Sequence, residues 1–106
     1  GLTITSCDSF EQSDDRIVAK ISPSSILSAI EQVAMASDCD AVFVSCTNLR
    51  ILDIITQAER TIGKPVLSSN LALAWHMRHL AGIHKKGVSK KGVRALLFEH
   101  STSDDL

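Results

Sequence analysis

Ser45-Cys46-Thr47-Asn48 is the segment best suited to chemistry, because a thiol stands among two hydroxyls and an amide directly after the apolar run Ala41-Val42-Phe43-Val44. An apolar run that ends in small polar residues reads as a buried strand delivering one cysteine to a rim. A thiol placed there can serve as a nucleophile or a general acid/base, with its thiolate held by backbone N–H groups and by the positive end of a following helix. The alternative is that Cys46 is a small hydrophobe closing a strand, since free cysteine is among the most often buried residues.

Two more polar clusters follow runs that read as strands: Cys7-Asp8-Ser9 and Ser68-Ser69-Asn70. In open parallel α/β sheets, ligands bind beyond the carboxyl ends of the strands, where helix N-termini also point. A rim of hydroxyls, amides and free N–H groups without fixed charge suits a carboxylate. Ser45, Thr47, Asn48, Ser68, Ser69 and Asn70 are therefore the candidate substrate-binding residues, with helix capping as the competing role for Ser68 to Asn70. No G-x-G-x-x-G or Walker-type loop is present, so nucleotide binding has no positive support. His76 and His79 share a three-residue spacing but have no third ligand in view, and no metal site is expected.

The elements that must position these residues follow from periodicity. Leu2-Thr3-Ile4-Thr5-Ser6 alternates apolar and polar and is β-branched, predicting a strand. Asp8 to Lys20 reads as a polar surface loop. Ser22-Pro23 starts a helix, the serine oxygen accepting from an orphan N–H and the proline sacrificing no internal bond. Its inner face is Ile26, Leu27, Ile30, Val33 and Ala34. The nearly continuous apolar run at Ala41–Cys46 predicts a parallel strand covered on both faces. A helix is expected directly after it, near Asn48, with Leu49, Leu52, Ile55 and Ala58 or Glu59 as its stripe and Gly63 and Pro65 as its stop. Pro65-Val66-Leu67-Ser68 predicts a third strand, and Asn70 the cap of a helix over Leu71–Leu80. Strands alternating with helices predict right-handed crossovers in an α/β, Rossmann-like or flavodoxin-like three-layer domain with a short parallel sheet.

Composition narrows the setting. With 106 residues, 44% of them hydrophobic, the chain makes one modest α/β domain with one core. Eleven basic against 12 acidic residues leave a net charge of −1, so no global field selects nucleic acid or an anionic membrane. Three cysteines without C-x-x-C spacing suggest neither a disulfide framework nor zinc, and a cytoplasmic setting is expected. No apolar stretch approaches the roughly 18 residues of a membrane span. A chain opening on Gly1, already in a strand-like run, suggests part of a longer polypeptide. Beyond Gly82, Lys85-Lys86-Gly87-Val88 and Lys90-Lys91-Gly92-Val93 form a basic near-repeat, Ala95-Leu96-Leu97-Phe98 reads as an edge strand or docking helix, and Ser101 to Leu106 is expected to be disordered. No aromatic residues interleave with the lysines, and nucleic-acid binding is not expected.

Val44-Ser45-Cys46-Thr47-Asn48-Leu49-Arg50, then Asp53, then Gly63-Lys64-Pro65-Val66-Leu67-Ser68-Ser69-Asn70-Leu71-Ala72-Leu73-Ala74-Trp75-His76 and Leu80-Ala81-Gly82 resemble the C-terminal half of the aspartate/glutamate racemase superfamily. The nearest branch is that of arylmalonate decarboxylase, maleate cis-trans isomerase and the ectoine-utilisation proteins. With the approach segment Asp15-Arg16-Ile17-Val18-Ala19-Lys20-Ile21-Ser22-Pro23 included, the resemblance runs from about Gly1 to Gly82.

The resemblance implies two similar α/β halves closing on a small carboxylate. Racemases and isomerases of this superfamily use one cysteine per half, and in the decarboxylases the single catalytic cysteine lies in the half resembled here. Cys46 matches that cysteine, and the Thr47 backbone N–H matches part of the carboxylate pocket. Cys7 and Cys39 match no catalytic position, and Trp75 is expected to anchor a core or an interdomain face. The expected function is thus a catalytic half-domain of a cofactor-independent isomerase, racemase or decarboxylase acting on a small mono- or dicarboxylate through Cys46. It should be inactive without an N-terminal half. The rival expectation is a non-catalytic α/β binding or interaction module; pairing of two copies into a homodimer would mimic the two-half architecture.

Overall fold

The structure, a computed structural model, describes residues 1–83. Its element order is α1 (Asp15–Val18), α2 (Pro23–Ala36), β1 (Val42–Val44), α3 (Ile55–Ile62), β2 (Val66–Ser68) and α4 (Ser69–Leu80). The expectations for Lys85–Val93, Ala95–Phe98 and Ser101–Leu106 fall outside the described residues.

Helix α2 starts as its sequence dictates. Ser22 stands in extended conformation as the N-cap, its oxygen accepts from the Ser25 N–H at 3.2 Å, and Pro23 fills the first helical position. Ile26, Ile30 and Ala34, spaced four apart, are the buried face. Chain direction then reverses through Ser37–Ala41 into β1, which pairs in parallel with β2 in the register Val42 to Val66, Phe43 to Leu67 and Val44 to Ser68. The Val42 N–H extends the ladder to the Pro65 carbonyl at 2.9 Å, a position where β2 must only accept. α2 packs on β1 and α3, while α3 and α4 pack on β2. The result is an α/β fold on a short parallel sheet, with Ile26, Ile51, Ile55 and Val66 at the centre of the core.

Several expectations are corrected. Leu2–Ser6 forms no strand: Ile4 is 84% exposed, and the segment has no strand partner among the described residues. Propensity alone cannot hold a five-residue segment as a strand without a ladder and a covered face. The region Asp8–Lys20 is not loop throughout, because Asp14 accepts from the Arg16 N–H at 2.9 Å and caps the single turn of α1, from which Val18 reaches the core. Strand β1 is not covered on both faces, since Phe43 is 56% exposed while Val42 is buried.

The helix after β1 begins at Ile55 rather than near Asn48. The apolar stripe is Ile51, Ile54, Ile55 and Ala58, all buried, whereas Leu52 of the expected stripe is exposed. Both patterns fit a helical period, and the choice falls to the one that puts two more isoleucines into the core. The Ile55 N–H already donates to the Ile51 carbonyl at 3.1 Å, so turns at Leu49–Ile54 lead into the helix. Gly63 ends α3 as expected, left-handed at φ 68° with its N–H on the Glu59 carbonyl at 2.8 Å. Helix α4 is capped by Ser68, not by Asn70. Among the described residues, no helix is long and apolar enough to cross a membrane.

Candidate active site

Parallel pairing brings two chain segments to one edge of the sheet. Because Val44 lies opposite Ser68, Ser45 and Cys46 leave β1 alongside the point where Ser69 and Asn70 leave β2 and enter α4. The contact between the two is direct: the Asn70 side-chain Nδ2 donates to the Thr47 carbonyl at 2.9 Å. Cys46 through Asn48 and Ser68 through Asn70 thus share the carboxyl edge, 20-odd residues apart in sequence and one hydrogen bond apart in space.

Cys46 is half-buried and packs against the core, and its Sγ accepts from the Asn48 backbone N–H at 3.4 Å. An acceptor engaging the N–H two residues on is the geometry by which Asn, Asp, Ser and Thr side chains fold short turns onto themselves. Here a sulfur does it, so the loop curls around the thiol. The buried Leu49 and Ile51 anchor the far side of that loop in the core. Ser45 and Thr47 flank the thiol and are exposed; Asn48 is half-buried.

On the other segment, Ser68 is fully buried and its Oγ accepts from the Leu71 N–H at 3.1 Å. That cap fixes where α4 begins and aims its first turn at the shared edge. Ser69 and Asn70 lie half-buried in this first turn, where free backbone N–H groups and the positive helix end favour an anion.

The remaining cysteines lie elsewhere. Cys7 is exposed in the N-terminal segment. Cys39 precedes β1, at the amino edge, with Lys64 Nζ 3.9 Å from its sulfur and 3.8 Å from Asp38 Oδ1. The length of β1 separates Cys39 from Cys46. Trp75 is half-buried on α4 and stacks on His79, ring centroids 5.6 Å apart, with His76 tilted at 6.3 Å. Among the described residues, no group of three or more His, Cys, Asp or Glu is arranged to hold a metal ion.

Sequence reasoning missed two features of this edge. The Asn70–Thr47 link joins positions 23 residues apart and has no local signal. The donation from the Asn48 N–H to Cys46 spans only two residues, but a sulfur stands where side-chain turns ordinarily use an oxygen, so the residue type does not announce it.

A half-buried thiol at the carboxyl edge of a parallel sheet, beside a capped helix N-terminus, defines the class: an α/β domain with a cysteine where such sheets bind ligands. Within that class the identity comes from comparison. The family model for arylmalonate decarboxylase matches residues 1–93, and the chain belongs to that family. A curated relative, the arylmalonate decarboxylase of Bordetella bronchiseptica, is 32% identical over 82 residues, or 76% of this chain and 34% of the relative. The chain therefore spans about a third of the length of the relative it matches. No solved structure matches it. The superfamily resemblance carried by Val44–Arg50 and Gly63–His76 is the correct one, and it places the chain among proteins related to decarboxylases and isomerases.

Proposed function

We propose that this chain supplies the thiol-bearing part of a decarboxylase or isomerase that acts on a small carboxylate, with Cys46 as the group that exchanges a proton with the substrate carbon. The observation that carries the reading is the Asn48 N–H held 3.4 Å from Cys46 Sγ on a loop at the carboxyl edge of the sheet. Family membership supports the reaction class proposed for that thiol.

In a decarboxylation, the C–C bond to one carboxylate breaks, carbon dioxide leaves, and the electron pair stays on the remaining carboxylate as an enediolate. Cys46 delivers its proton to the carbon, and solvent returns a proton to the sulfur. The task for the protein is to hold the charge that develops on the carboxylate oxygens, which backbone donors fixed in advance do best. The Thr47 N–H, the hydroxyls of Ser45, Thr47 and Ser69, and the first turn of α4 are the groups we assign to that pocket. Ser68 and Asn70 act one layer behind, Ser68 by starting α4 and Asn70 by holding the loop. Isomerisation or racemisation would use the same thiol with a second acid/base opposite it. The length of the relative supports a further domain that completes the pocket.

Cys46→Ala in the full-length protein is expected to lower turnover of an arylmalonate, a maleate or an amino-dicarboxylate by at least about a hundredfold, the usual weight of a general acid. Its circular dichroism and melting should stay those of the parent. Full activity in that variant would remove Cys46 from the chemistry.

A further inference from the structure

Two hydrogen bonds at the carboxyl edge fall on one peptide unit. The carbonyl of Thr47 accepts from Asn70 Nδ2 at 2.9 Å, and the N–H of Asn48, the other end of the same planar group, donates to Cys46 Sγ at 3.4 Å. In a trans peptide the C=O and the N–H point in opposite directions and rotate together. Whatever fixes the carbonyl therefore aims the N–H.

We propose that Asn70 is a positioning residue for Cys46: by holding the Thr47 carbonyl, it turns the Thr47–Asn48 peptide so that its N–H faces the sulfur. The inference rests on the role given above to Cys46 in the chemistry, but the geometry it describes can be tested without turnover. A carbonyl can only accept, so the amide nitrogen of Asn70 must be the atom that meets it. A carbonyl that accepts a hydrogen bond polarises its own peptide and makes the attached N–H a better donor. Asn70 thus acts on the sulfur twice, by direction and by polarisation, without touching it.

Its place in the chain suits the task. Asn70 sits in the first turn of α4, two residues after the buried Ser68 that caps that helix, so its backbone is held while its side chain reaches across. On the other side, Leu49 and Ile51 hold the loop by burial. The peptide between Thr47 and Asn48 lies between two fixed points, and its orientation is the freedom left for Asn70 to remove.

The test uses Asn70→Leu and Asn70→Asp in the full-length protein. Both keep the branched shape, and neither has a proton to donate at pH 7. Two quantities are read: hydrogen exchange at the Asn48 amide, and the rate at which iodoacetamide alkylates Cys46, followed on the peptide that contains it. Loss of one ordinary hydrogen bond should speed Asn48 exchange about fivefold in both variants and change Cys46 alkylation by about two- to fivefold. The Leu71 amide, held by Ser68 Oγ, should exchange as in the parent. Parent values at Asn48 and Cys46 in both variants would overturn the proposal. So would retention of Asn48 protection by Asn70→Asp alone, or an equal rise at Leu71, which would mean that α4 had frayed. Full turnover by Cys46→Ala would instead overturn the role of Cys46 and leave the exchange result standing, so the two failures are distinct.

Discussion

Leu2–Ser6 and Val42–Val44 look alike as sequence and end differently. Both carry β-branched residues, and the first has the cleaner apolar–polar alternation. Yet Val42–Val44 forms β1, paired with β2 and backed by α2, while Ile4 stays 84% exposed and Thr5 makes a surface contact, accepting from Ser37 Oγ at 2.8 Å. Side-chain type permits a strand in either place. A neighbour that completes the ladder, and a helix that covers a face, decide which of them is one.

That comparison is most sharply tested by truncating an isoleucine of the N-terminal segment and one in α3, which packs on the sheet. Ile55→Ala removes a fully buried residue beneath the sheet and should cost about 2–5 kcal/mol in urea unfolding. The same change at Ile4 should fall within about 0.5 kcal/mol of the parent. A cost at Ile4 that rivals Ile55 would mean that the N-terminal segment is packed after all. A smaller effect is expected from the cap that joins β2 to α4: Ser68→Ala should destabilise by about 0.5–2 kcal/mol and speed exchange of the Leu71 amide.

The smallest effect belongs to Asp14, the side-chain cap of α1, which is half-buried where Ser68 is fully buried. The Arg16 side chain, and after it the Arg16 N–H, hold the Asp14 carboxyl below its ordinary value. A carboxylate whose folded value is depressed stabilises fully above its unfolded value, about 3.9, and loses that contribution as pH falls through the lower folded value. Arg16→Ala should bring the Asp14 titration, followed by NMR, back toward the ordinary range, with little change in stability near neutral pH.

The legible parts of the molecule were those written locally. Ser22-Pro23 announces α2, Gly63 ends α3, and the step from Val44 to Ser45-Cys46 marks the end of a strand, because each depends on residues within a turn of one another. Less legible were choices between equivalent local patterns. Leu49-Leu52-Ile55 with Ala58 or Glu59, and Ile51-Ile54-Ile55-Ala58, both satisfy a helical period; Leu49, Ile55 and Ala58 are buried, and the core takes Ile51 and Ile54 in place of Leu52. The cap of α4 is Ser68 rather than the expected Asn70 for a similar reason, as Ser68, Ser69 and Asn70 are all good capping types in succession. At the candidate site, the thiol and the polar residues around it could be named from sequence. The bond that ties Thr47 to Asn70 could not, since it exists only once two parallel strands have set their ends side by side.

The brevity of β1 and β2 bears on how copies of this protein behave toward one another. Among the described residues the sheet has two strands and hence two open edges, the usual invitation to add a foreign strand. Along β2 the invitation is withdrawn at one point: with the Pro65 carbonyl turned toward β1, the Val66 N–H faces outward, and Glu59 Oε1 accepts from it at 3.0 Å. Along β1, apolar character runs only from Ala41 to Val44 before Ser45 interrupts it, short of the six or seven residues from which fibrillar stacks are built. Polymerisation through these edges is thus discouraged by a carboxylate on one side and by want of length on the other.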